Sequence, residues 1–281
     1  MGQVMFIVWR ESVEALLVVG ILYAWLKNGD ADARRGVPYL WGGVAIGIVA
    51  AVALGAALVS FTEVLSGDAQ DYFQTGMVLV ACVLIVQMVL WMKQHGRTLK
   101  RDMEQSLEKS ARDANWWGVA ILVALAIARE GSETVIFLYG LGFGQSGHVD
   151  ASQYVAVLIG LALALLTFYL LQLGGKVFSW RHFFRVTEIM LLFLGAGLFQ
   201  TGVDKLIDKE LLPTLVDRVW NTSAILDDSN TFGSLVATLT GYRAHPALMN
   251  LIAYAVYWLV VWFLVRRATG RAGAVAKRKA A

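Results

Sequence analysis

The chain has 281 residues, of which 58% are hydrophobic and only 16% are charged, and its net charge at pH 7 is +3. Soluble domains are seldom this apolar, so the composition predicts an all-α polytopic membrane protein. The modest positive charge does not indicate a nucleic-acid partner, because six basic residues are gathered in the C-terminal tail. The single cysteine, Cys82, excludes a disulfide framework.

Seven apolar stretches are long enough to cross a bilayer as helices. They cover roughly residues 3–26, 39–61, 72–92, 116–141, 153–174, 184–203 and 247–265. The first stretch has no basic segment before it, so we expect a membrane span there and not a cleaved signal peptide. The predicted organisation is one transmembrane domain over residues 1–265, followed by a basic tail over residues 266–281.

Basic residues lie mainly on one side of these predicted spans. The connections 27–38, 93–115 and 175–183, with their edges and the tail, carry eighteen Lys and Arg residues, whereas the connections 62–71, 142–152 and 204–246 carry four. Lys and Arg are concentrated in cytoplasmic loops of membrane proteins. The N-terminus is therefore predicted to lie outside and the C-terminus in the cytoplasm.

Two charged motifs lie inside the first and fourth predicted spans: Arg10-Glu11-Ser12-Val13-Glu14 and Arg129-Glu130-Gly131-Ser132-Glu133. Only twelve residues separate Glu14 from Lys27, about 18 Å of helix, so a span across the roughly 30 Å hydrocarbon core must include the first motif. The arginine and the second glutamate of each motif are four residues apart and share a helix face. Ionisable residues in a span are costly and indicate a functional site.

The second motif follows the first after 119 residues, which is three spans later. Because three is odd, the two groups of spans cross the membrane in opposite directions, as in the inverted repeats of transporters. We predict repeat A over residues 1–92, repeat B over 116–203, an outer amphipathic loop over 204–246 and an additional span seven over 247–265. Apolar residues between Leu206 and Trp220 predict a short amphipathic helix in that loop.

Facing motifs would supply four carboxylates and two guanidiniums, with a net charge of −2. Carboxylate oxygens are hard ligands that suit Fe³⁺, Mn²⁺, Ca²⁺ or Mg²⁺. The predicted metal ligands are Glu11, Glu14, Glu130 and Glu133, and the site-orienting residues are Arg10 and Arg129. The alternative is that each motif is an internal ion pair that holds helices together.

Four further acidic residues are candidates for an ion relay or an outer mouth: Glu188, Glu63, Asp227 and Asp228. Glu188 lies one turn after Arg185, so an interfacial salt bridge is the alternative for it. The sequence contains neither a phosphate-binding P-loop nor a Ser/His/Asp set, and therefore predicts no catalytic residues and no cofactor-binding residues.

The paired R-E-x-x-E motifs resemble the oxidase-dependent high-affinity iron permeases of the iron/lead transporter superfamily, whose bacterial members are the EfeU and FtrC types. The resemblance includes Trp116-Trp117-Gly118 before the second motif and Gly195-Ala196-Gly197-Leu198 in the sixth span. Two departures from the family pattern are Ser12, where Gly is usual, and Gln74, where an acidic residue is common.

The resemblance implies inward movement of Fe²⁺ or Fe³⁺ across the plasma or bacterial inner membrane, with iron as substrate and no permanently bound cofactor. It also implies a periplasmic iron-binding protein and an oxidase or peroxidase as partners, beside membrane lipid. Three alternatives remain from the residues alone: a transporter of another hard cation such as Mn²⁺, a membrane-embedded metalloenzyme with Glu130 or Glu133 as general base, and a scaffold subunit.

Overall fold

The structure is a computed structural model that describes residues 2–29, 31–95, 116–143, 151–173, 180–228 and 230–280. Within these ranges all regular secondary structure is helical, which confirms the predicted all-α class. Much of the basic 93–115 connection lies outside the described residues. The helices in chain order are α1 Gly2–Asn28, α2 Ala31–Arg34, α3 Val37–Val64, α4 Asp68–His95, α5 Trp116–Gly140, α6 Ala151–Leu173, α7 Trp180–Asp208, α8 Thr231–Thr240 and α9 Leu248–Ala280.

Five helical stretches in the described ranges are long and apolar enough to cross a membrane: Asp32–Val64, Asp68–Gln94, Ala151–Gln172, Phe184–Asp208 and Leu248–Ala268. The protein is therefore a multi-pass membrane protein. Helices α1 and α5 have 27 and 25 residues, close to 40 Å of helix, but each contains the three ionisable residues of one motif.

Local sequence explains the tight connection between α3 and α4. Pro38 lies in the first turn of α3, where its missing N–H is harmless. After α3 the backbone of Leu65 is extended, and Gly67 adopts a left-handed φ of 58°, which glycine tolerates without strain. Asp68 and Asp71 occupy the first turn of α4, where the helix dipole favours carboxylates.

Helices α1, α2, α3, α5 and α6 form one of two compact units. In this unit α3 packs in parallel with α5 through glycines. A Cβ atom at Gly43 would lie 2.5 Å from the backbone oxygen of Ala120, and one at Gly47 would lie 2.7 Å from Cβ of Ile127. The glycines thus allow the two helix backbones to approach closely.

Helix α6 approaches α1 in the same way. A Cβ atom at Gly160 would lie 2.8 Å from the backbone oxygen of Met5 and 3.0 Å from Cβ of Val8. Two turns further along α6, the indole N–H of Trp9 donates to Oγ1 of Thr167 at 2.9 Å. A glycine contact and a hydrogen bond therefore hold α1 to α6.

Two apolar clusters lie on opposite sides of the motifs along α1 and α5. The α1–α3–α5 cluster contains Val18, Leu22, Leu26, Leu40, Val119, Val123 and Ile127. The α1–α6 cluster contains Val4, Val8 and Ala156, with Leu138 of α5 and Leu141, which follows α5, packed against it. The N-terminal half of α1 thus lies beside the C-terminal half of α5, and each motif lies between two apolar layers.

Helices α4, α7, α8 and α9 form the second compact unit. Ion pairs join α4 to α7 at both ends. At one end Lys93 Nζ lies 2.9 Å from Glu188, so the partner of Glu188 is on α4. At the other end Lys209 Nζ lies 2.8 Å from Asp68 and 2.5 Å from Asp71. Lys209 donates hydrogen bonds to Asp68 and Asp71, and these raise the pKa of Lys209, which therefore stays charged at neutral pH.

The predicted amphipathic helix between Leu206 and Trp220 is wrong. Leu206 belongs to α7, which ends at Asp208, and the helix of the 204–246 connection is α8. Glu210 and Leu215 have positive φ angles of 57° and 64°, and Pro213 lies between them. A right-handed helix tolerates neither feature, so the apolar residues here belong to irregular chain.

Candidate metal centre

Helix α1 holds the first motif deep inside its unit. Arg10 is 1% exposed, and its guanidinium contacts both glutamates of its own motif, with Nη1 2.8 Å from Glu11 Oε1 and Nη2 2.5 Å from Glu14 Oε1. A planar guanidinium bound to two carboxylates fixes the orientation of both. The first motif is therefore a preformed arrangement of one cation between two anions.

Helix α5 presents the second motif differently. Arg129 is 36% exposed and donates from Nε to Glu133 Oε1 at 2.9 Å. Glu130 is only 8% exposed, yet among the described residues its carboxylate has no ion-pair partner. The second motif therefore pairs its arginine with the distal glutamate and leaves the proximal one for other contacts.

Three of the four predicted ligands come together. One carboxylate oxygen each from Glu11, Glu14 and Glu130 lies within 4.8 Å of the others. Glu133 is not part of this three-carboxylate group, although it follows Glu130 by one helical turn. Within the described ranges, Oε2 of Glu11, of Glu130 and of Glu133 is buried and accepts no hydrogen bond.

Such an arrangement suits a small cation of high charge. Two carboxylates about 5 Å apart repel each other by about 3 kcal/mol at an effective dielectric constant of 20. A buried oxygen without a donor also costs free energy. A hard metal ion between Glu11, Glu14 and Glu130 would offset both costs, because carboxylate oxygens are its preferred ligands.

The surroundings restrict access of water to the three-carboxylate group. The α1–α6 cluster covers one side along the helix axes and the α1–α3–α5 cluster covers the other. Low polarity on both sides strengthens the attraction between the carboxylates and a bound ion. Along the helix axes the group is therefore covered by apolar side chains, while Glu14 keeps 13% of its side-chain surface exposed.

The predicted relay and mouth residues do not join the three-carboxylate group in the described part of the chain. Glu188 is paired with Lys93. Asp228 accepts a hydrogen bond from the backbone N–H of Ala244 at 3.0 Å, which holds the chain after α8 in place. Glu63 is exposed near the C-terminal end of α3, and Asp227 is half-buried.

Two polar features of helices α1, α3 and α5 were not predicted from the sequence. Nε2 of Gln3 is buried without a hydrogen-bond partner among the described residues, and Gln3 precedes Arg10 by two helical turns. Thr62 Oγ1 donates to the backbone oxygen of Leu58 at 2.8 Å, so the hydroxyl of Tyr139, 2.5 Å away, is the donor in the Thr62–Tyr139 bond. Gln3 could have been identified from the sequence, because it lies on the same helix face as Arg10. The Thr62–Tyr139 pair could not, because it depends on packing of α3 against α5.

Comparison with known proteins identifies relatives along nearly the whole chain. Residues 1–270 match the iron permease FTR1 family. The ferrous iron permease EfeU of Shigella sonnei (strain Ss046) is 29% identical over 276 residues, 98% of each chain, and so is that of Escherichia coli O157:H7. The ferrous iron permease EfeU of Yersinia pestis is 26% identical over 278 residues, 97% of each chain. No solved structure matches the chain.

Proposed function

The chain belongs to the iron permease FTR1 family, and from this premise we propose that it moves iron inward across the bacterial inner membrane through the carboxylates of α1 and α5. The family consists of transporters, so the prediction that the protein is not an enzyme is confirmed. The observation that carries the proposal is the buried three-carboxylate group, in which one oxygen each from Glu11, Glu14 and Glu130 lies within 4.8 Å of the others.

We assign separate roles to the six charged residues of the motifs. Glu11, Glu14 and Glu130 bind the ion first. Glu133 is the fourth ligand, one turn along α5, which completes the ion's coordination or receives the ion as it moves. Arg10 and Arg129 orient the carboxylates and lower the cost of the unoccupied site, because each neutralises part of the negative charge.

An inverted repeat is part of the proposal, and matching packing supports it. Gly47 of α3 contacts Ala124 and Ile127, while Gly160 of α6 contacts Met5 and Val8. The two motifs are 119 residues apart in the sequence. Met5 and Ala124 have the same separation, and so do Val8 and Ile127. Repeat A over 1–92 and repeat B over 116–203 would therefore place α1 opposite α5 and α3 opposite α6 about one pseudo-two-fold axis.

Transport then requires the two apolar clusters to open in turn. With the N-terminus outside, the α1–α6 cluster opens to admit the ion and the α1–α3–α5 cluster opens to release it. Glycine contacts bind α3 to α5 and α6 to α1, so these parallel pairs are the bodies that move. A membrane potential of 100 mV supplies about 2.3 kcal/mol for each positive charge moved inward.

Uptake by purified protein tests the proposal. Protein reconstituted in liposomes should accumulate radioactive iron, offered separately as Fe²⁺ and Fe³⁺, when an inside-negative potential is applied. Glu130→Gln should remove this uptake, whereas Asp32→Asn, a change at an exposed carboxylate, should not. Excess Mn²⁺ should compete weakly; equal competition would favour the Mn²⁺ alternative. Normal iron uptake by Glu130→Gln would contradict the site.

The periplasmic iron-binding protein and the oxidase or peroxidase stay predictions from the resemblance. Glu63, Asp227 and Asp228 are our candidates for the mouth at which such proteins deliver iron, and Glu188 for a relay. Stimulation of liposome uptake by an added periplasmic partner would support the first assignment, and its loss in Glu63→Gln would locate the delivery point.

A further inference from the structure

The irregular chain after α7 exposes apolar side chains outside the membrane-spanning helices. Five of them are between 41% and 56% exposed: Leu211, Leu215, Val216, Val219 and Trp220. They fall within ten consecutive residues, so they form a patch and not scattered surface positions. Apolar patches of this kind mark a contact with a membrane or with another molecule.

Backbone hydrogen bonds fix this segment beside the first turn of α9. The N–H of Val219 donates to Pro246 at 3.1 Å, and the N–H of Leu248 donates to the carbonyl oxygen of Val216 at 3.0 Å. The membrane-crossing stretch of α9 begins at Leu248. Val216 therefore lies at the level at which α9 enters the membrane.

The backbone of Leu215 is strained without any gain of burial inside the protein. Its φ of 64° is in the left-handed region, which a residue with a bulky side chain rarely adopts. Strain of this kind persists only where the surroundings favour it. The backbone hydrogen bonds of Thr214 and Val216 with Met249 and Leu248 hold this turn, and they leave the Leu215 side chain 56% exposed to the surroundings of the protein.

Charged neighbours set the depth of the segment. Asp217 and Arg218 are exposed between Val216 and Val219, and neither is tolerated in the hydrocarbon core at low cost. Irregular backbone is likewise excluded from lipid-exposed positions in that core. Trp and Arg side chains are, by contrast, common at the level of the lipid headgroups.

We propose that residues 211–220 form an interfacial anchor that inserts Leu215, Val216, Val219 and Trp220 into the headgroup boundary of the leaflet at which α9 begins. The occupant of the patch is lipid, because the patch continues the exposed apolar surface of α9. Ile252 and Val256 are exposed one and two turns inside the same helix. The anchor fixes the start of the long 204–246 connection against the bilayer.

Spin labels report this depth directly. In a Cys82→Ala background, nitroxide labels at Leu215→Cys and Val219→Cys are compared in liposomes for collision with oxygen, which concentrates in lipid, and with a water-soluble nickel complex. Ile252→Cys serves as the lipid-facing standard, and Asn221→Cys, an exposed polar position nearby, serves as the aqueous standard. The two anchor positions should show oxygen-dominated relaxation, between the standards and closer to Ile252→Cys.

The proposal would be overturned if the label at Val219→Cys were as accessible to nickel as the label at Asn221→Cys. It would also be overturned if the Val219→Cys label were protected from nickel only when a second protein is added. If Leu215→Cys alters the strained turn, the label at Val219→Cys alone tests the proposal. Monodisperse elution of each labelled protein shows that the fold is intact.

Discussion

The two motifs share a five-residue pattern but have different surroundings. Arg10 is 1% exposed and contacts two glutamates, whereas Arg129 is 36% exposed and pairs with Glu133 of its own motif. The first motif is thus rigid and internally neutralised in part, and the second leaves Glu130 free to face the first. In the proposed site, the first motif is therefore the fixed half-site and the second motif the adaptable half-site.

Under the proposed function, this difference would let a preformed site also release its ion. A guanidinium that holds two carboxylates keeps their oxygens in place while the site is unoccupied. A carboxylate without such a partner can follow the ion when α5 moves. The account therefore gives Glu130 the largest role in transport and Arg10 a larger role than Arg129.

The largest expected effect comes from replacing the two glutamates of the second motif one at a time. Glu130→Gln should lower iron uptake about 100-fold, equivalent to about 2.7 kcal/mol, because it removes one charge from the three-carboxylate group. Glu133→Gln should lower uptake only about tenfold, because Glu133 lies outside that group. Initial uptake rates, normalised to protein in the membrane, measure both. Equal losses would show that the two glutamates are equivalent ligands.

Arginine-to-lysine changes test the contrast between the two guanidiniums. Arg10→Lys should lower uptake about 30-fold, equivalent to about 2 kcal/mol, because an ammonium cannot reproduce the planar fork that binds Glu11 and Glu14. Arg129→Lys should cost about threefold, because the pair with Glu133 lies at a partly exposed position where solvent screens it. If Arg129→Lys lowered uptake more than Arg10→Lys, the fixed half-site would be the second motif and not the first.

The middle residue of each motif gives a smaller, structural contrast. A Cβ atom at Gly131 would lie 2.5 Å from Cβ of Ala51 on α3, so Gly131→Ser should destabilise the protein by about 2 kcal/mol. Ser12→Gly in α1 should change stability by less than about 1 kcal/mol. Thermal unfolding in detergent, followed by tryptophan fluorescence, compares the two. Tolerance of Gly131→Ser would argue against close packing of α3 and α5.

The smallest expected effect concerns the glycines that contact the opposite repeat. Gly47→Ala and Gly160→Ala should each destabilise the protein by about 1–2 kcal/mol, and to a similar degree, because both place a methyl group against a neighbouring helix. Gly42→Ala is the matched control, since no atom lies within 4 Å of its added Cβ. If Gly42→Ala were as harmful as the other two, loss of glycine itself and not helix contact would be the cause.

The sequence predicted the parts of the fold that follow from local chemistry. Apolar length located the long helices, and the i, i+4 spacing placed Arg10 beside Glu14. The cost of charge inside a span predicted that all four motif glutamates would meet, and three of them, Glu11, Glu14 and Glu130, do so. These inferences succeeded because each depends on periodicity or on the bilayer, which act on the sequence directly.

Features that depend on packing between distant residues could not be predicted from the sequence. The partner of Glu188 is Lys93 and not a neighbour in sequence, and the different exposure of Arg10 and Arg129 arises from their surrounding helices. The pattern between Leu206 and Trp220 favoured a helix, but Pro213 and the left-handed backbone at Glu210 and Leu215 prevent one. Backbone geometry outweighed the apolar spacing there.

The most direct measurement is the anomalous scattering of iron in crystals of the protein soaked with iron. We expect one strong peak in the three-carboxylate group, with oxygens of Glu11, Glu14 and Glu130 at about 2 Å from the ion, the bond length of small cations to carboxylates. A peak elsewhere in the membrane-spanning region, with these three glutamates uncoordinated, would contradict it.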